Sequence, residues 1–204
     1  MTFIAAFYSF TIELNHSDRG VFTTFRIKVP RHELESREHL YARLIAYCHS
    51  YRLGIYFTDN TLEPREATIE ERDTIGTLNL WAQVGTPQKR MLELSLKQSP
   101  DAEHRVYFYR PDDVTTICHH LRGSKTNWVD KVLFYKIAPE LLARLIEHDS
   151  SSPIWNLSFI DDRIYLTTGD LEVESELLQI DIWVAFQNSL TIHQNITGKA
   201  MHNP

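Results

Sequence analysis

The sequence predicts a single α/β domain in which a mixed β-sheet is flanked by helices. Three observations lead there. Segments with apolar residues at alternate positions crowd both ends of the chain, and segments with helical apolar spacing alternate with short apolar strands through the middle. A 43% hydrophobic content over 204 residues is enough for one core, and no internal repeat or low-complexity stretch interrupts it.

FIAAFYSFTIEL (residues 3–14) and VFTTFRIKV (residues 21–29) read as two strands, joined through the polar, turn-rich residues 15–20 into a hairpin. Between residues 33 and 51, Leu34, Tyr41, Leu44, Ile45 and Cys48 recur at helical spacing, with Glu35, Glu38, Arg43 and His49 as polar positions around them. Residues 55–58 form a short strand. The polar stretch 58–73 holds too little apolar content for a core and reads as a loop. In LNLWAQVGTP (residues 78–87), Leu78, Leu80 and Ala82 alternate with Asn79, Trp81 and Gln83, a strand ended by Gly85 and Pro87.

Pro87 then opens a helix carrying Met91, Leu92, Leu94 and Leu96, which ends near Ser99 and Pro100. VYFY (residues 106–109) is a buried strand. Pro111, Asp112 and Asp113 begin a helix that runs through Leu121 and closes at Gly123, with early acids suited to the positive end of its dipole. A strand (residues 131–137) and a helix (residues 140–148) follow. WNLSFI and RIYLTT are strands with Gly169-Asp170 as a turn, and LEVESELLQIDIWVAF is strand or helix in part. The domain spans residues 1–188; residues 189–204 form a polar, flexible C-terminal tail, where Asn195-Ile196-Thr197 would matter as a glycosylation sequon only in a secreted protein.

Composition narrows the function. Net charge is −6, with 27 acidic against 21 basic residues, the wrong balance for a chain whose main work is clamping phosphate backbones. No run approaches the roughly 18 apolar residues of a membrane helix, and the N-terminus lacks a basic region and cleavage site, so a soluble, cytoplasmic protein is expected. The two cysteines, Cys48 and Cys118, lie far apart in helical segments and read as small apolar fillers.

Most chemistry-bearing patterns have plain explanations. His119 and His120 are adjacent, so on a helix they point about 100° apart and do not share one metal. His32 and His39 lack any accompanying zinc-spaced Cys or His cluster. Pro111-Asp112-Asp113 is explained by a helix start, because no Glu-x-Lys follows on a strand. Trp81, Trp128, Trp155 and Trp183 read as core or interface packing, and neither a phosphate-binding glycine loop nor a nucleophile elbow is present.

RHELESREHLYARLIAY (residues 31–47) holds Arg31-His32, Glu35, Glu38 and Arg43 before Leu44-Ile45-Ala46-Tyr47. LEPREATIEERDTIGTLNLWAQVGTP (residues 62–87) follows, then RVYFYR and DKVLFYKI through ELLARLI. In this order the segments resemble the YaeQ family, whose fold is similar to the PD-(D/E)XK nuclease superfamily: a helix bearing an acid, a loop acid, a strand ending in an acid, and a helix with a lysine. The resemblance fades after about Asp181 and is specific only between Arg31 and Pro87.

The family's usual Glu-Pro-Asp, counted back from Trp81, falls on Glu66-Ala67-Thr68; its strand glutamate falls on Gln83; the lysine of its Lys-Ala pair falls on Leu94. The resemblance therefore makes Glu35, Glu38, Glu66, Thr68, Gln83 and Leu94 the site positions, with three of them degenerate. Magnesium wants hard anionic oxygens, and a lysine beside it would stabilise charge developing on phosphorus. Thr68, Gln83 and Leu94 offer no charge for either task.

The expectation is a catalytically inactive binding or scaffold protein without a cofactor, whose partner is a protein or a nucleic acid and not a membrane. One alternative is a magnesium-dependent nuclease with rearranged carboxylates. It would use Glu35 or Glu38 with Glu66 or Asp73, Glu63, Glu70 and Glu71 nearby, and Lys89 or Lys97 in place of the lysine; its metal candidates are Glu38, Glu66 and Asp73. A second alternative, resting on the tryptophans and the segment through IDIWVAF, is a subunit of a larger cytosolic assembly.

Overall fold

β1 (Ile4–His16) and β2 (Val21–His32) form a long antiparallel hairpin, closed by a 3-10 turn at Ser17–Arg19 and by Gly20 at φ +63°. The computed structural model describes residues 4–58, 67–121, 128–148 and 153–188. On its other edge β1 pairs in parallel with β8 (Ile154–Ile160), and β9 (Arg163–Thr168) and β10 (Leu171–Gln179) continue antiparallel. The last turn of sheet belongs to β10 alone: Leu171 to Glu176 face β9, whereas Leu177 to Gln179 pair with β7 (Val132–Ile137). Through that shared strand the sheet runs on to β6 (Glu103–Phe108) and β5 (Leu78–Val84), both parallel, then β4 (Ile69–Arg72) and β3 (Tyr56–Phe57), giving the order β2-β1-β8-β9-β10-β7-β6-β5-β4-β3.

The helix α1 (Arg37–His49) packs against this sheet. Leu40 through Cys48 are all buried, so the helix has no solvent stripe, the condition of a helix enclosed on every side. Phe10 and Trp155 meet edge to face at 5.2 Å, and Tyr41 stacks on Trp155 at 5.9 Å. Those rings, with Leu44, Ile45, Ile137 and Leu157, form the main core beneath α4 (Pro139–Glu147). A second apolar layer covers the opposite face of β5–β7: Trp81, Val106 and Phe108 pack with Leu92 and Leu96 of α2 (Lys89–Gln98) and Ile117 of α3 (Asp113–Leu121). Strands covered on both faces need apolar residues at nearly every position, which is why VYFY carries no alternation. The two layers share β5–β7, so the molecule is a single α/β domain with a mixed sheet flanked by helices.

The local signals explain most element ends, and several expectations are corrected. Ser36 caps α1, its Oγ accepting the His39 N–H at 3.2 Å, so Glu35 precedes the helix rather than riding on its face. Part of the expected loop at 58–73 is the strand β4, with Ala67, Thr68 and Ile69 buried. Its polar sequence hides it because Ile69 is the one apolar residue of Ile69–Arg72, and Glu71 is buried despite its charge. LEVESELLQIDIWVAF divides into β10 and a helical segment, residues 182–188. The tail 189–204, its sequon and Gly123 lie outside the described residues.

Candidate functional site

In open α/β sheets ligands bind beyond the carboxyl ends of the parallel strands, and here β5 and β6 end beside the start of α1. β5 stops where Gly85 takes φ +84°, a conformation that costs a side-chain-bearing residue energy, and the Gly85 N–H donates to the Tyr107 carbonyl at 2.8 Å. Two of the positions expected from the sequence resemblance, Thr68 and Gln83, meet there. The Thr68 N–H donates to the Ala82 carbonyl at 2.9 Å, and its Oγ1 accepts the Val84 N–H at 3.1 Å. Thr68 is thus bonded to the residue on each side of Gln83. Gln83 is buried as well, its Nε2 donating to the Val84 carbonyl at 3.3 Å. Period two places Gln83 on the Trp81 face of β5, the side covered by α2.

Among the described residues, the other positions have different surroundings. Leu94, on α2, is 41% exposed. Glu35 is fully committed: Arg43 Nε reaches its Oε1 at 2.7 Å, Nη2 reaches Oε2 at 2.9 Å, and His39 Nδ1 lies 2.9 Å from Oε1. Both carboxylate and guanidinium are wholly buried. Burial opposes ionisation of Glu35, but the His39 hydrogen bond and the Arg43 charge prevail and hold its carboxyl below the usual range. Glu38 is exposed and lines a groove of about 330 Å³ with Ser36, Tyr109, Arg110, Pro139 and Leu142. Asp73 serves the β4–β5 turn, accepting the Ile75 and Thr77 N–H groups at 3.0 and 2.8 Å. Glu70 and Glu71 are engaged by Arg72 and Asn79, and Lys89 pairs with Glu93. Glu63 and Glu66 lie outside the described residues. Among the described residues, no group of three His, Cys, Asp or Glu side chains is placed to hold a metal.

Asp113 is buried and its carboxylate accepts the Tyr109 and Arg110 N–H groups at 3.0 and 2.9 Å and the Thr86 hydroxyl at 2.8 Å. It locks the β6–α3 turn, the structural role a helix start implies.

At the far end of α1 lies a polar assembly that the sequence reading missed. The Tyr107 hydroxyl is 2.7 Å from His49 Nδ1 and 2.8 Å from Ser50 Oγ, with Arg105 Nη1 at 3.3 Å. Arg19 and Arg105 both donate to the His49 carbonyl, at 2.8 and 3.3 Å, and Arg52 and Arg105 both pair with Glu103. His16 stacks on His49 at 5.1 Å, is buried, and has no hydrogen-bond partner on either ring nitrogen among the described residues. Burial and then the Arg19 charge push His16 down to about 4, and burial with Arg105 takes His49 well below the ordinary histidine range. One signal was available: Arg105 immediately precedes the strand read as buried at residues 106–109, and the alternation of a strand puts it on the Tyr107 face.

A mixed-sheet α/β domain, with an enclosed helix whose N-terminus meets the carboxyl ends of the parallel strands, defines the class of protein. Within that class the chain belongs to the YaeQ family, whose model, described as YaeQ protein, matches residues 1–177. The YaeQ protein from Pseudomonas syringae has a similar fold at 20% identity, with a TM-score of 0.72 over 86% of this chain and 95% of that one. The YaeQ protein from Xanthomonas axonopodis pv. citri superposes with a TM-score of 0.75 at 14% identity, over 85% and 96%. No curated protein matches the chain. No helix among the described residues is long and apolar enough to cross a membrane.

Proposed function

We propose that this YaeQ-family domain keeps a PD-(D/E)XK nuclease-like scaffold with a degenerate active site, and acts in the cytoplasm as a binding or scaffold protein for a protein or nucleic-acid partner. The observation that carries this reading is Thr68 bracketing Gln83. At the two positions where a nuclease of this kind would converge carboxylates, the chain has uncharged side chains, each hydrogen-bonded to the backbone of Val84. A buried amide and hydroxyl can offer oxygen atoms but not the negative charge that holds magnesium beside a phosphate. Glu35 is withdrawn into its ion pair with Arg43, and Leu94 brings no cation.

The test is incubation of pure protein with magnesium and single- or double-stranded DNA or RNA. No cleavage is expected. Magnesium-dependent cleavage abolished by Glu66→Ala would refute the reading and leave a nuclease with rearranged carboxylates in its place.

A further inference from the structure

The assembly at the C-terminal end of α1 holds more positive charge than its partners neutralise. Arg19 and Arg105 share the His49 carbonyl, and Arg105 and Arg52 share the Glu103 carboxylate, so three guanidiniums are chained around one acid. The carbonyl end of α1 adds only roughly half a negative charge, which leaves the cluster positive. Asp18, at the rim, is exposed and accepts the Asp161 N–H at 3.3 Å rather than pairing with any of the three. The mutual repulsion registers on Arg19, which burial first, and then Arg105 and Arg52, make easier to deprotonate.

Donor capacity is also left over. Among the described residues Arg52 Nε, itself buried, has no hydrogen-bond partner, and the side chains of Arg52 and Glu103 are 24% and 31% exposed, so an ion from solvent meets their outer atoms. Guanidinium forks match the planar or tetrahedral oxygens of carboxylate and phosphate bidentately, which makes a half-buried arginine cluster suited to an oxyanion rather than to a point-charge partner. Glu103 is then the resident counter-ion.

We propose that Arg19, Arg52 and Arg105 form a binding site for a small oxyanion, phosphate or carboxylate, in which the incoming anion competes with Glu103 for Arg52. This goes beyond the binding role proposed above and rests on residues at the other end of α1, about 20 Å from its N-terminus at 1.5 Å per residue over 13 residues.

The experiment is calorimetry and thermal melting of the full chain with inorganic phosphate and with citrate, against chloride at matched ionic strength. Saturable heat and a rise in Tm with phosphate or citrate, absent with chloride, are expected. Arg52→Ala and Arg19→Gln, both at partly exposed residues, should weaken binding about tenfold or more, and Glu103→Gln should tighten it. An equal response to chloride, or unchanged affinity in both arginine variants, overturns the proposal. A 5′-phosphorylated oligonucleotide against its 5′-hydroxyl counterpart separates the sources: preference for the phosphorylated strand assigns nucleic-acid ends, and equal binding with a strong phosphate response assigns a free solute. Loss of the anion site would leave the account of Thr68 and Gln83 standing, since no residue is shared.

Discussion

Arg43 closes on both oxygens of Glu35 where neither is reached by solvent, and its Nη2 also donates to the Pro30 carbonyl at 2.9 Å. The pair fastens the β2–α1 connection to the centre of the enclosed helix. Glu35→Gln leaves a guanidinium buried without its counter-charge, and a loss of about 3–5 kcal/mol in denaturant unfolding is expected. The double variant Glu35→Leu with Arg43→Met should recover most of that loss, because apolar replacement removes both desolvated charges at once.

The same pair sets part of the acid limb of stability. Its folded carboxyl titrates below the ordinary value of 4.5, so its contribution is complete above that pH and is lost as pH falls through the lower folded value. Unfolding free energy measured against pH should therefore fall less steeply below about 4.5 in Glu35→Gln than in the parent chain.

His16 governs a higher window. Its folded value of about 4 lies below the ordinary 6.5, so protons bind preferentially to the unfolded chain between those limits. Stability is full above about 6.5 and declines as pH falls toward 4, by about 3 kcal/mol for a shift of this size. His16→Phe keeps a ring against His49 and Phe159 but removes the titration, and its stability profile should be flatter from pH 6.5 to 4.

Much of the fold was legible because alternation and helical spacing are local. The hairpin of β1 and β2 follows from such patterns, whereas α2 begins at Lys89 after Gln88 and not at Pro87, which precedes the helix. What escaped depends on contacts between distant segments. β4 is polar and reads as a loop, yet the ladder to β5 makes it a strand. Arg43 looks like a solvated helix position, and only the enclosure of α1 turns it inward to Glu35. The cluster of His16, His49, Arg105 and Tyr107 joins β1, α1 and β6, so no spacing within one segment announces it. At the candidate site Thr68, Gln83 and Leu94 were singled out by the sequence resemblance; that Thr68 grips both neighbours of Gln83 was not legible there.

Asp113 shows that an acid beside a crevice need not be chemical. Asp113→Ala frees two backbone N–H groups and the Thr86 hydroxyl, and a loss of about 1–2 kcal/mol in thermal or denaturant unfolding is expected, as for a deleted helix cap.

Gln83→Glu introduces the carboxylate that the sequence resemblance leads one to expect, without a setting for it. The new carboxylate would face the Val84 carbonyl that the amide now donates to, acceptor against acceptor, and unfolding should show a loss of about 1–3 kcal/mol without any nuclease activity.

Calorimetric titration of the pure protein with magnesium at neutral pH tests the central claim most directly. A scaffold with Thr68 and Gln83 engaged by backbone gives no saturable heat, in the parent chain or in Gln83→Glu. Saturable magnesium binding that disappears in Glu66→Ala would contradict it and restore a metal-dependent site.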